Sequence, residues 1–334
     1  MRAIVLTGPR RVEVVGDLPE PDPRPGEVVV AMRAVGLCGS DLGVYEGHRA
    51  TPELPWVMGH EGGGEIVAVG AGVTDRRAGQ RVVVEPNYCC FDCPACRAGA
   101  TSACPRRWIV GMNVPGLLAE RVAVPSRFTW PVAQAVSDET LACVEPLAVA
   151  RAAVRRSGIG PDGECLVVGA GSQGLLVCQS LLAIGARPYV TEPHEGRLAL
   201  AERIGAKAVD PRDAGDFAAV FDTAGIAQTW ETSLRAVAPA GVIVLIGMSD
   251  ERVHTSTMEL TRRQLVLRGS LIYDHPGDFA GTVEAVEAGE IQPARTLRPA
   301  TPPEQAGEAF ARARSVPGKS WIDLARWWED RDDR

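Results

Sequence analysis

The chain begins as a series of short β-branched runs separated by glycine and proline: AIVL, RVEVV, EVVVAMRAV, GEIVAVG, QRVVVE and AERVAVP, all before about residue 145. Runs of this length with turn signals between them predict a compact, partly closed antiparallel β domain. From about residue 146 the texture changes. ECLVVGAG, ARPYVTE, FAAVFDTAG, GVIVLIGM and LVLRGSLIY are apolar strands, and the intervening SQGLLVCQSLLAIG and EGRLALAERIG carry helical periodicity closed by a glycine. That alternation predicts an α/β domain, a doubly wound parallel sheet covered by helices on both faces. Beyond about 273, helical patches in FAGTVEAVEAG and PEQAGEAFARARS lead to a short apolar WIDL and a charged tail, RWWEDRDDR. The tail is expected to fray unless Trp327 and Trp328 cover a neighbouring surface.

Composition narrows the function classes. At 334 residues, 46% of them hydrophobic, the chain has room for about two domains with sizeable cores. The net charge of −7, with both signs interspersed, offers no basic stripe for a phosphate backbone and argues against nucleic acid. No apolar run approaches the ~18 residues of a membrane span, and the first residues alternate like a strand rather than a signal peptide. A cytoplasmic protein is expected. All basic residues but Lys207 and Lys319 are arginine. Nine cysteines, clustered and odd in number, read as metal ligands rather than disulfides.

Three motifs carry chemistry. The first is GAGSQG, where Gly169, Gly171 and Gly174 follow the strand CLVV and open a helix through Ser172 and Gln173. The first glycine permits a tight turn, the second lets the backbone approach a pyrophosphate and the third lets helix and strand pack closely. Glu192, eighteen residues past Gly174, ends the strand PYVTE. An acid there accepts hydrogen bonds from ribose hydroxyls and repels a 2′-phosphate, which favours NAD over NADP. His194 and Arg197 lie close enough to accommodate a phosphate instead.

The second motif is the cysteine run NYCCFDCPACRAGATSAC, with Cys90, Cys93, Cys96 and Cys104 spaced C-x2-C-x2-C-x7-C. Four thiolates on one loop close a tetrahedral sphere, the signature of structural zinc; an iron–sulfur cluster or unmetallated thiols are the alternatives. Cys89 falls outside the four-ligand spacing. The third is dispersed: GLCGSD (Cys38, Ser40, Asp41), GHEGGGE (His60, Glu61) and VEPLAVA (Glu145). Singly, Cys38 reads as a small buried hydrophobe, His60 as a core histidine and Glu145 as a helix-start residue. Together they offer the Cys, His and carboxylate ligands of a catalytic zinc with one position open. Ser40 and Asp41 also suit helix capping.

GLCGSD, GHEGGGEIVAVGAGV, the cysteine run, GLLAERVAVP, VEPLAVA and GAGSQG occur in the order of the zinc-dependent medium-chain dehydrogenase/reductase family, and the chain resembles that family over essentially its whole length. The glutamate in VEPLAVA is most similar to the sorbitol, threonine and glucose dehydrogenase branch. The resemblance implies a GroES-like catalytic domain over 1–146 with its structural-zinc lobe at 87–105. It also implies a Rossmann coenzyme domain over 147–272 and a C-terminal return over 273–334. It further implies two zinc ions per subunit, with Cys38 and His60 as catalytic-zinc ligands and Glu61 and Glu145 sharing or exchanging the remaining position. Ser40 then bonds the alcohol oxygen and passes on its proton, and Asp41 orients His60. The expected reaction moves hydride between NAD and a secondary alcohol of a polyol, sugar, cyclitol or aminocyclitol, in a homodimer or homotetramer. Simple alcohols, a zinc-free reductase of this fold and a zinc-ribbon-like binding module are the alternatives. One departure is Gly43, where the family often has a proton-relay histidine; Tyr45, His48, or ribose hydroxyls with water are the candidate replacements. Tyr45, Trp56 and Asn113 are candidate pocket residues.

Overall fold

In the computed structural model, which describes residues 1–332, the glycine-punctuated strands pair as their alternation predicts. Six antiparallel strands form the larger sheet. Five run in the order Thr129–Pro131, Arg81–Val84, Glu61–Val69, Glu27–Gly36, Trp321–Asp323, and Arg121–Pro125 also pairs with Glu27–Gly36. Val28, Val30, Met32, Ile66, Val82 and Val84 are fully buried there and pack into one core, the main favourable term for this fold. A three-stranded sheet of Arg11–Val15, Ala3–Gly8 and Trp56–Val57 completes the N-terminal part.

The apolar WIDL joins this sheet: Trp321 pairs with Gly36, and Gly36 in turn with Glu61. The tail beyond it is a helix, Arg326–Asp332, rather than a frayed end. Trp327 is fully buried, donates through Nε1 to Glu304 Oε1 at 3.0 Å and lies under the Arg2 guanidinium at 5.2 Å. Trp328 donates to the Met32 carbonyl at 3.0 Å. Two anchored indoles thus hold a run that charge alone reads as solvated. Asp333 and Arg334 lie outside the described residues.

The chain divides into two compact units. One is Met1–Glu145 with Phe279–Ala288 and the chain from Leu297 on; the other is Pro146–Asp278 with Gly289–Thr296. The second unit holds a six-stranded parallel sheet in the order Lys207–Ala208, Arg187–Thr191, Glu164–Val168, Phe217–Asp222, Val237–Leu245, Val266–Gly269. This is the doubly wound dinucleotide-binding arrangement. Five of its strands are the apolar runs of the sequence. The sixth, Lys207–Ala208, is two exposed residues long and leaves no hydrophobic pattern to read. Helix Glu195–Ile204 stops at Gly205, whose φ of 117° is the left-handed cap a glycine supplies cheaply.

Candidate functional site

In the first unit, Cys38 ends the turn after strand Glu27–Gly36, and His60 and Glu61 open strand Glu61–Val69. Their ligand atoms, one from each, all lie within 4.8 Å of one another. Thiolate, imidazole nitrogen and carboxylate oxygen are the donor set of a catalytic zinc site, and three of them leave a fourth position free. The helix Gly39–Tyr45 supplies the support. Asp41, fully buried, accepts from the Cys38 amide at 3.0 Å, from the Gly59 amide at 3.3 Å and from His60 Nδ1 at 3.1 Å. Asp41 therefore both caps the helix and orients the imidazole, and the second ring nitrogen, Nε2, is left to bind, with Ser40 Oγ 3.4 Å from it. Burial opposes charge on His60, yet Asp41 and Cys38 outweigh it and hold its pKa well above the ordinary value. With Cys38, Glu61 and Asp41 as its acidic groups, the recess is chemically suited to a dication.

Glu61 has a partner that the sequence reading missed. Lys319, 1% exposed, places Nζ against Glu61 Oε2 and donates to the Leu37 carbonyl at 3.2 Å. Burial works against the ammonium, but Glu61 first, then Cys38 and Cys143, raise its pKa on balance. Its signal in the sequence is that it is one of only two lysines, with Lys207, in a chain rich in arginine. Glu145 is buried in the first turn of helix Val144–Ser157 and does not belong to the convergent trio.

The remaining candidates have neighbours of their own. Tyr45 is buried with its ring centroid 5.3 Å from that of Phe310. His48 is 74% exposed, with Nδ1 3.4 Å from Glu46. A side chain at Gly43 would meet nothing within 4 Å. Trp56 donates to the Gly111 carbonyl at 2.9 Å, and Asn113 accepts from the Ile109 amide at 2.5 Å. Those bonds are local braces.

The four spaced cysteines do converge. Sγ of Cys90, Cys93, Cys96 and Cys104 all lie within 4.8 Å, with Cys90–Cys96 at 3.9 Å and Cys90–Cys104 at 3.5 Å. A tetrahedron with Zn–S arms of ~2.3 Å has edges of about 3.8 Å, so the thiols fit a zinc ion. Backbone amides of Cys90, Cys93 and Cys96 point at Cys104, Cys90 and Cys93 sulfurs at 3.4–3.5 Å. Such donors, that of Asp92 foremost, hold the Cys90 thiol down to about 6. Burial, then the Cys93 and Cys104 sulfurs, push Cys96 up to about 12. Cys89 stands outside the four and packs into the core, where burial raises its pKa.

In the second unit, strand Glu164–Val168 runs into Gly169, at φ 97°, and helix Ser172–Ala183 starts after Gly171. A Cβ on Gly174 would lie 2.0 Å from the Gly169 carbonyl, so only glycine allows this approach; one on Gly171 would meet open space. The amides of Ser172, Gln173 and Gly174 form the first turn of the helix, where donors lack intrahelical partners. The Gln173 side chain donates to the Pro146 carbonyl at 3.2 Å. Glu192 accepts one amide on each oxygen, Ala170 at 2.8 Å and His194 at 3.0 Å, and Arg197 stands 4.0 Å away. Each carboxylate oxygen keeps a lone pair for a further donor.

Comparison with known proteins identifies the family of the chain. Residues 24–134 match the alcohol dehydrogenase GroES-like domain, and residues 174–288 the zinc-binding dehydrogenase domain. The chain is 35% identical over 270 residues to D-altritol 5-dehydrogenase of Agrobacterium fabrum, covering 77% of this chain and 80% of that one. Its fold is similar to that of the alcohol dehydrogenase rspB from E. coli CFT073, solved with NADH, at TM-score 0.90 and 26% identity over 97% of this chain and 99% of that one. A zinc-binding dehydrogenase from Sinorhizobium meliloti bound to NADP matches at TM-score 0.90 and 26% identity, over 96% and 98%. The chain belongs to the zinc-type medium-chain alcohol dehydrogenase family. It is an oxidoreductase of alcohol CH–OH groups with a nicotinamide dinucleotide as hydride acceptor.

Proposed function

We propose that this enzyme uses NAD to oxidise a secondary alcohol on a polyol, sugar or aminocyclitol, with one catalytic and one structural zinc per subunit. The observation that carries the reading is the convergence of Cys38, His60 and Glu61 within 4.8 Å, backed by Asp41. Glu61, rather than Glu145, supplies the carboxylate ligand. When bound, the catalytic zinc supplies a Lewis acid that lowers the pKa of a substrate hydroxyl. Ser40 accepts the hydroxyl proton beside it, and with glycine at 43 the proton leaves through ribose hydroxyls and water. Asp41 keeps His60 in the one tautomer and orientation that present Nε2.

The glycine turn and the helix amides hold the coenzyme pyrophosphate, and Glu192 takes the adenosine ribose hydroxyls. A 2′-phosphate beside that carboxylate meets like charge, which supports NAD, although Arg197 is within reach of it. Similarity to D-altritol 5-dehydrogenase supports a sugar-alcohol substrate. The four-thiol lobe holds the second zinc, in a reducing cytoplasmic setting that keeps thiols available as ligands. Strand Val266–Gly269 is exposed at every residue on the edge of its sheet, with Leu271 exposed just beyond, and supports a homodimer formed by edge pairing.

The test is an absorbance screen at the reduced-nicotinamide band, with NAD and NADP against polyols, sugars, aminocyclitols and simple alcohols. NAD reduction with a polyhydroxylated secondary alcohol is the expected outcome. Metal analysis finding no zinc, together with activity only as a reductase, defeats the proposal in favour of a zinc-free relative.

A further inference from the structure

We infer that Lys319 is a positioning residue that restricts Glu61 to one free carboxylate oxygen, so that a metal held by Cys38, His60 and Glu61 keeps a position open for substrate. The inference rests on the reading of that trio as the catalytic zinc site. Lys319 Nζ occupies Glu61 Oε2, and the Leu37 carbonyl at 3.2 Å fixes the ammonium from a second side. The ammonium repels a cation and draws electron density from Oε2, so Oε1 is the better donor to a metal. The pair has its own recess. Gly36 pairs with both Glu61 and Trp321 across the sheet, and a Cβ there would lie 2.7 Å from Glu61 Oε2 and 2.9 Å from Lys319 Cε. Only glycine leaves room for the two side chains to meet.

Two physical arguments give the pair its role. Carboxylates bind metals through one oxygen or both. Released from the lysine, Glu61 is free to chelate, which adds a fifth donor to the three protein ligands and the water or substrate and so crowds the position that a catalytic zinc keeps for substrate. Charge balance points the same way. A Cys38 thiolate with the Glu61 and Asp41 carboxylates carries three negative charges, a zinc ion offsets two, and the lysine offsets the third. A buried site left with an unpaired anion draws that anion onto the metal.

The test uses cobalt(II) in place of zinc, because four-coordinate cobalt(II) absorbs visible light more strongly than five-coordinate cobalt(II). The wild-type protein should show the strong bands. In Lys319→Met they should weaken towards the five-coordinate form, while adding Lys319→Met to Glu61→Gln should leave the Glu61→Gln spectrum as it was. A Lys319→Met spectrum identical to wild type overturns the inference, and so does an equal change with and without the carboxylate at 61. Wild-type protein that takes up cobalt only at the four cysteines defeats the underlying site reading as well. If Lys319→Met does not fold, Lys319→Arg keeps the charge but forks onto both Glu61 oxygens. Cobalt affinity at the site should then fall about ten- to a hundredfold, and unchanged affinity overturns the inference.

Discussion

The two cysteine-bearing centres of the first unit make opposite use of the same residue type. The lobe draws four thiols from the fifteen residues 90–104 and surrounds them with backbone amides. The other centre draws one thiol, one imidazole and one carboxylate from residues 38, 60 and 61, and its surroundings are charged side chains, Asp41 behind His60 and Lys319 behind Glu61. A sphere closed by four sulfurs has nowhere to admit substrate, whereas three mixed ligands leave a place for it. On the function proposed above, thiol density therefore marks the staple, and the sparser site carries the chemistry.

This contrast is open to direct attack. Cys38→Ser should lower kcat/KM about a thousandfold, the several kcal/mol of a lost Lewis acid, while the thermal midpoint moves little. Retained activity would break the assignment. In the lobe the pattern should invert: Cys90→Ser should release one zinc of two and lower Tm by roughly 10 °C or more, whereas Cys89→Ser keeps both ions. Zinc content by elemental analysis beside calorimetry reads both variants, and the reverse result moves the ligand register by one residue. Asp41→Asn should cost about ten- to a hundredfold in catalytic-site metal affinity or activity, with the lobe zinc untouched. A metal titration that finds both sites unchanged would leave Asp41 as a helix cap alone.

The smallest effect probes how far the support extends. Glu46 caps the C-terminal end of the helix that carries Asp41 and is bonded by both arms of Arg314, at 2.7 and 2.9 Å. That hydrogen bond, against a smaller opposing effect of burial, holds its pKa below the ordinary 4.5. A folded-state pKa below the unfolded one stabilises above the unfolded value, and the benefit disappears as pH falls through the folded value. Glu46→Gln should thus destabilise by less than about 1 kcal/mol at pH 7, and the gap between variant and parent should close below about pH 4. A gap in unfolding midpoints that persists at pH 3 would show that Glu46 acts by packing instead.

What the sequence made legible is what it stores locally. The strand runs, the glycine turn after CLVV, the acid at Glu192 and the cysteine spacing each lie within one short segment, and their structural counterparts follow. The pairing of Asp41 with His60 was accessible through the family resemblance, and it meets the need of a metal-binding histidine for a partner on its second nitrogen. Lys319 was not, since its partner is 258 residues away and only the register of Trp321 and Glu61 on either side of Gly36 brings them together. Tyr45 and His48 illustrate the converse limit. Proximity to Gly43 makes both relay candidates in the sequence, but it does not foretell their different surroundings, the core for Tyr45 and solvent for His48.

The separation of Lys319 from Glu61 also orders events during synthesis. At ~5–20 residues per second the ribosome delivers all four lobe cysteines within about three seconds of one another, but Lys319 follows Glu61 by roughly ten to fifty seconds. The nascent chain can therefore close its lobe around metal early, while Glu61 waits for its counter-ion until the coenzyme-binding unit has been translated.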